Sequence, residues 1–244
     1  MRSVSSKLLV MAALAGAALA ISATPTFAES PRSMMLELHG GSYTPSVDSA
    51  VSGGTPWKDI FGGDSLTLLR LHLDYEVFQD FGTIAIGGGL GYGWIDGKAL
   101  DEKNEPTSDE VGFNLAPFTF TVAYRWDWAA QRYGVPFVPY VKVGLTAALW
   151  WSTDAKDSIS NTRGTGGDER NGMGVTLGWH AGAGLQFLLD VFSSSMATGF
   201  DTEAGVNNSF IFVEFVHTAL DDFGSDKSLD LSDDALSFGL AFEF

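Results

Sequence analysis

Cysteine is absent from all 244 residues. No disulfide can staple the chain, and the lipoprotein route, which acylates a cysteine at the processing site, is closed. Basic residues are scarce: 14 Lys and Arg stand against 30 Asp and Glu, a formal charge of −16. Nucleic-acid binding rests on cations neutralising phosphates, so this balance argues against it. With 4 histidines, scattered along the chain, a structural zinc site is not expected. Beyond the N-terminal segment no apolar run approaches the roughly 18 residues of a spanning helix. The nucleotide and hydrolase signatures G-x-x-x-x-G-K-S/T, G-x-S-x-G and H-E-x-x-H are missing too. The glycine run of residues 87–93 has neither the spacing nor the following helix of a dinucleotide site.

The N-terminal segment carries an address. Arg2 and Lys7 precede an apolar stretch from Leu8 to Ile21, and Thr26-Phe27-Ala28 has small residues at both recognition positions of an A-x-A-like site. The expectation is a signal peptide over residues 1–28, cleaved after Ala28, and one exported domain over residues 29–244. Losing Arg2 and Lys7 leaves 12 basic and 30 acidic side chains, a mature charge of −18. Such acidity suits either a surface that holds divalent cations, as a lipopolysaccharide layer does, or plain solubility.

Apolar residues make up 45% of the chain, aromatics 13%, and glycines number 29. The apolar residues alternate with polar ones. Between residues 66 and 77 the odd positions are Thr67, Leu69, Leu71, Leu73, Tyr75 and Val77. The even ones include Arg70, His72, Asp74 and Glu76. Period two means a strand with one face suited to lipid and one that is charged. The same split recurs over residues 34–43, 82–95, 113–126, 136–151, 173–189, 207–217 and 236–244, though 207–217 is less clean because Phe210 and Phe212 fall on the polar side. The expected fold is all-β: an eight-stranded antiparallel up-and-down transmembrane β-barrel.

A soluble barrel of lipocalin type would place the apolar face inside. Two features favour the membrane form. Aromatics cluster at both ends of the apolar face, Tyr75, Tyr124, Trp126 and Phe244 at one and Trp94 and Trp151 at the other, as interfacial girdles do. Connections alternate long and short, with polar, acidic segments such as Asp101 to Glu105 and Asp226 to Asp234 on the expected outer side. The sixth connection, residues 190–206, is long where a short periplasmic turn is expected, and a short helix there would reconcile it. The closing Phe238-x-Leu240-x-Phe242-x-Phe244 resembles the C-terminal signal that the outer-membrane assembly machinery recognises.

Several segments carry a family resemblance: Leu36-Glu37-Leu38-His39-Gly40-Gly41, Pro56-Trp57-x-Asp59-Ile60-Phe61-Gly62, Pro136-Phe137-Val138-Pro139-Tyr140-Val141-Lys142, Gly205-Val206-Asn207-Asn208-Ser209 and the closing Phe-rich strand. They resemble a family of outer-membrane β-barrel proteins first catalogued in myxobacteria, and more distantly the small OmpA- and OmpW-type barrels. The resemblance implies a fold and an outer-membrane location, with the lipid bilayer and lipopolysaccharide as surroundings. It implies no activity.

Strand phase puts Glu37, His39, Arg70, His72, Asp74, Glu76, Arg125, Lys142, His180, Glu214 and Glu243 in the lumen. At eight strands the lumen is just wide enough for side chains to fill. These groups form either a salt-bridged plug, with a structural or surface-interaction role, or an OmpW-like path for small hydrophobic or ionic solutes. The inward glycines of residues 87–93 and 178–184 leave a lateral groove or make room for Tyr140 and Trp150, the latter being favoured. A rim enzyme is a third and poorer class: His217 with Asp221 and Asp222 is the one cluster to name. No catalytic residue, cofactor or metal is expected, and Asp226, Asp230, Asp233 and Asp234 read as a solvated loop before a weak Ca²⁺ site.

Overall fold

A computed structural model describes residues 32–244 except 51–53, 102, 104, 157, 164–168, 193–198, 200–201 and 226–227. The leader expected over 1–28 and its cleavage point therefore lie outside the described residues. Eight antiparallel strands close a barrel: β1 (Met34–Tyr43), β2 (Leu66–Gln79), β3 (Thr83–Leu100), β4 (Pro106–Arg125), β5 (Phe137–Thr153), β8 (Met173–Leu188), β9 (Asn208–Ala219) and β10 (Asp233–Glu243). Between β5 and β8 a small ribbon stands apart, β6 (Asn161–Arg163) against β7 (Glu169–Asn171). β10 pairs with β1 from Met35↔Glu243 to Gly41↔Ser237, so the ring has no free edge along the wall.

Alternation decides which way each strand faces. On β2, Leu73, Tyr75 and Val77 are exposed while His72, Asp74 and Glu76 are buried. On β5, Val141, Val143 and Leu145 are 53–57% exposed between the buried Tyr140, Lys142 and Thr146. A band of exposed aliphatic and aromatic side chains around charged, buried ones is inside-out for a water-soluble barrel. It is the arrangement of a barrel whose solvent is lipid, so the strands span a membrane. Aromatics gather at both ends of the band. Trp126, Phe81 and Tyr133 lie at the end that also holds both described termini, and at the opposite end the Tyr92 ring meets those of Trp94 and Trp151 with centroids 5.5 and 6.1 Å apart.

One connection differs from expectation. Residues 96–111, expected as a polar loop, are mostly strand. β3 and β4 continue as a hairpin beyond the barrel wall, pairing Gly97 with Val111 and Lys98 with Glu110 before a register shift near the tip. The pairing persists because a two-stranded ladder satisfies the backbone even where the side chains are charged. The sixth connection opens with a 3₁₀ turn (Leu189–Phe192), and residues 202–204 are helical. Helical residues of the kind that would reconcile its length are thus present among the described ones.

Among the described residues three further short helices close the ends. α1 (Val47–Ala50) and α2 (Pro56–Phe61) lie in the first connection, where the Asp48 carboxylate accepts the N–H groups of Trp57 and Lys58 at 2.6 and 3.1 Å. Proline at the first turn of α2 loses no hydrogen bond, and Gly62 at φ +70° ends the helix in the left-handed region that favours glycine. Trp57 from α2 packs with Tyr43, Leu66, Leu68, Phe113, Leu115, Leu220 and Leu231 as an apolar cap over that mouth of the barrel. α3 (Trp128–Tyr133), between β4 and β5, places Ala130 against the apolar layer at the other mouth.

Candidate functional site

The lumen is built in layers, because inward residues at equal heights on eight strands meet across it. Nearest the mouth that holds the described termini, Arg125 of β4 donates from Nη1 to Glu76 of β2 and Glu243 of β10, both at 2.9 Å, and from Nε to Gln186 of β8 at 3.1 Å. Arg32 reaches Asp127 at 3.4 Å and Glu243 at 3.6 Å. Asp127 also accepts the Thr83 hydroxyl at 2.8 Å, and Gln79 donates to Glu76 at 2.6 Å. Two cations thus share three carboxylates, each with further donors.

Met35, Val138, Tyr140, Phe210, Phe212 and Ala241 form an apolar cluster beside this layer, and Gln186 passes through to donate to Glu37 of the next at 3.4 Å. Phe210 and Phe212, which blur the polar face of β9 in sequence, are lumen-filling side chains 3% exposed. Arg125 also lies over the Phe210 ring, 5.3 Å from its centroid.

The central layer contains the second charge group. Lys142 of β5 donates to Glu37 of β1 and lies 3.7 Å from Glu214 of β9. His39 stands 3.0 Å from Glu37 and 3.3 Å from the Ser237 hydroxyl, and its ring meets Phe212 at 4.6 Å and His72 at 5.0 Å. Arg70 approaches Glu214 only to 4.0 Å. His180 is held between the hydroxyls of Thr121 and Thr146, at 3.2 and 2.8 Å. Asp74 is buried without an ion pair among the described residues, and its Oδ1 has no hydrogen-bond partner there.

The residues singled out in the sequence therefore separate into two groups. Glu76, Arg125 and Glu243 meet in one layer; Glu37, Lys142, Glu214, Arg70 and His72 meet in another, with His39. His180 is hydroxyl-bound and Asp74 stands alone. Sequence reasoning did not single out Arg32, Asp127 and Gln186. Gln186 is on the inward phase of β8 and was available from alternation, whereas Arg32 and Asp127 lie outside the strands, where phase gives no signal.

The glycines make room for inward side chains, in part the expected Tyr140 and Trp150 and in part others. Gly184 faces the Tyr140 ring and Gly174 the Trp150 ring, each leaving under 3 Å for a Cβ. Gly89 and Gly91, however, lie against His72 and Arg70 of the neighbouring β2, and Gly87 against Asp74. Neither a groove nor Tyr140 accounts for the run of residues 87–93: it seats the charged face of β2.

At the outer rim His217 bonds Asp234 at 2.7 Å and packs against Trp179, with ring centroids 5.2 Å apart. The cluster expected of His217 with Asp221 and Asp222 is not formed. Asp222 instead accepts the Leu177 N–H at 2.6 Å, because the turn carrying it folds onto the end of β8. Of the acidic loop, Asp230 bonds Ser49 and Ser232, Asp233 accepts the Thr44 N–H at 3.1 Å, and Asp226 lies outside the described residues. Among the described residues no three His, Asp or Glu side chains are grouped to hold a metal ion.

Fold and burial together define a small transmembrane β-barrel with charged and apolar side chains facing its lumen. No family model matches the chain, and no curated protein matches it in sequence. Solved structures of similar layout include Neisserial surface protein A (11% identity, TM-score 0.45, covering 87% of this chain and 96% of that one). The outer membrane protein OprG from Pseudomonas aeruginosa is another (14%, 0.47, 87% and 96%), and so is the outer membrane enzyme PagL (16%, 0.36, 86% and 98%). The barrel itself rests on its own strand register and its inside-out burial, and no family model supports the resemblance to the myxobacterial family.

Proposed function

We propose that the chain is an exported outer-membrane barrel with a structural or surface-interaction role, whose lumen is a packed core and not a conduit. The observation that supports this is the filling of successive cross-sections: ion pairs around Arg125, an apolar layer, ion pairs around Lys142, and the apolar cap over the far mouth. The cavities beside Arg70 measure ≈ 30 and ≈ 20 Å³, room for a water or two. Removal of residues 1–28 after Ala28 and delivery to the assembly machinery through Phe238, Leu240, Phe242 and Phe244 belong to the same proposal. Phe238 and Leu240 face outward on β10, the strand that closes the ring. Lipid and lipopolysaccharide would then surround the apolar band, and what the protein contacts specifically would be met by its outer loops.

Planar-bilayer recording of the refolded protein tests the proposal. The expected result is a bilayer without steady conductance, unchanged in Arg70→Ala. Steady channels in the parent protein that Arg70→Ala or Lys142→Ala abolishes would overturn it in favour of the conduit.

A further inference from the structure

The β3–β4 hairpin outgrows one of its neighbours. β5 stops at Thr153, opposite Gly112 of β4. There the Asp154 carboxylate accepts the N–H groups of Lys156 and Ser158 at 2.9 and 3.0 Å and turns the chain back, so that Thr153 bridges Ile159. β4 meanwhile stays paired with β3 out to Pro106. Residues 106–111 therefore have on one side a ladder, bulged over 107–109, and on the other a strand edge. Alternate residues of such an edge direct both N–H and C=O away from the sheet. Among the described residues no other segment makes a backbone hydrogen bond to that side.

The hairpin is covered on one face at β3: Gly97 lies beneath α2, where a Cβ would come within 2.5 Å of the Ile60 carbonyl and 2.7 Å of the Phe61 ring. A bare edge invites self-association unless charge prevents it, and here Asp109 and Glu110 are exposed on the edge itself. Asp101, Glu105 and Asp154 flank it and outnumber, with Asp109 and Glu110, the nearby Lys98, Lys103 and Lys156. A second copy of so acidic a chain is repelled; a cationic strand is not.

We propose that the open edge of β4, Pro106–Val111, receives an extended, lysine- or arginine-bearing segment of a partner protein by strand addition. Main-chain hydrogen bonds supply the attachment, and Asp109 and Glu110 supply the preference for a basic partner. Pro106, which has no N–H, marks where the added strand stops. The inference rests on the surface-interaction reading and gives it a site and a partner class.

A fluorescent peptide of alternating Lys and Thr, titrated into the barrel in lipid nanodiscs and followed by anisotropy, is the test. Saturable binding is expected, weakened about tenfold or more when alternate peptide nitrogens are methylated, which removes donors and keeps charge. Asp109→Lys with Glu110→Lys, both surface changes, should weaken it comparably while leaving heat-modifiable gel mobility intact. Binding that survives methylation, binding indifferent to the charge reversal, or no binding at all would overturn the proposal. A conducting barrel that still binds the peptide in this way would sink the filled-lumen reading and leave the edge site standing.

Discussion

Lys142 is the residue on which the central layer turns. It is 6% exposed and lies between Glu37 and Glu214, two carboxylates that lipid and packed side chains keep from water. Removing one partner of a buried ionic group leaves its opposite charge stranded, at a cost of about 3–5 kcal/mol. Lys142→Ala should therefore lower the unfolding free energy by that order, read from urea titration of the folded barrel in micelles. Lys142→Met combined with Glu37→Gln should cost less than the two single changes added together, since Glu37 is then not left charged without its cation and Glu214 keeps Arg70 at 4.0 Å. Additive losses would show that the two side chains do not act as a pair. Gly184 makes the complementary case: a Cβ there would stand 2.5 Å from the Tyr140 ring. Gly184→Val should cost about 1–3 kcal/mol by overpacking, and a smaller residue at position 140 should recover part of it.

Each strand presents two solvents, and substitutions should divide accordingly. Leu145, 57% exposed in the middle of β5, faces lipid in this account. Leu145→Arg should cost about 2–4 kcal/mol in bilayers, whereas the same change in a soluble barrel's exposed position would be near neutral. The turn that ends β5 is separable from the membrane. Hydrogen bonds from Lys156 and Ser158 hold the Asp154 carboxyl below the usual aspartate range. A carboxylate held below its ordinary value stabilises the turn above that value and stops doing so as pH falls through the lowered one. Amide exchange at Lys156 and Ser158 should accordingly quicken in Asp154→Ala at neutral pH, and in the parent chain only below the usual aspartate range. Strand phase was readable in the sequence because period two needs only local residues; the inward set from Glu37 to Glu243 faces the lumen as alternation implies. Pairing was not readable, because Glu37, Lys142 and Glu214 sit on β1, β5 and β9, and which of them meet depends on the stagger around the ring. The outward reach of β3 and β4 was hidden for another reason: Asp96 to Val111 has loop composition, and only the cross-strand ladder makes it sheet.

At the scale of the whole molecule, charge is sorted by position. Paired charges sit inside, acidic ones decorate the outer loops, and an uncharged apolar band surrounds the wall. The band and the filled lumen are one claim, since a barrel whose interior were apolar and whose exterior were wet would reverse both. The lack of cysteine makes that claim directly measurable, because any single cysteine introduced for labelling is unique. The decisive measurement is a spin-label scan along β5 from Phe137 to Trp151 in lipid bilayers, recording collision with oxygen and with a water-soluble nickel complex. Oxygen collision should peak at positions 141, 143, 145 and 149, with positions 142, 144, 146 and 148 shielded from both reagents. Nickel access along the inward positions would show a water-filled lumen, and nickel access along the outward ones would remove the membrane; either result would contradict the account.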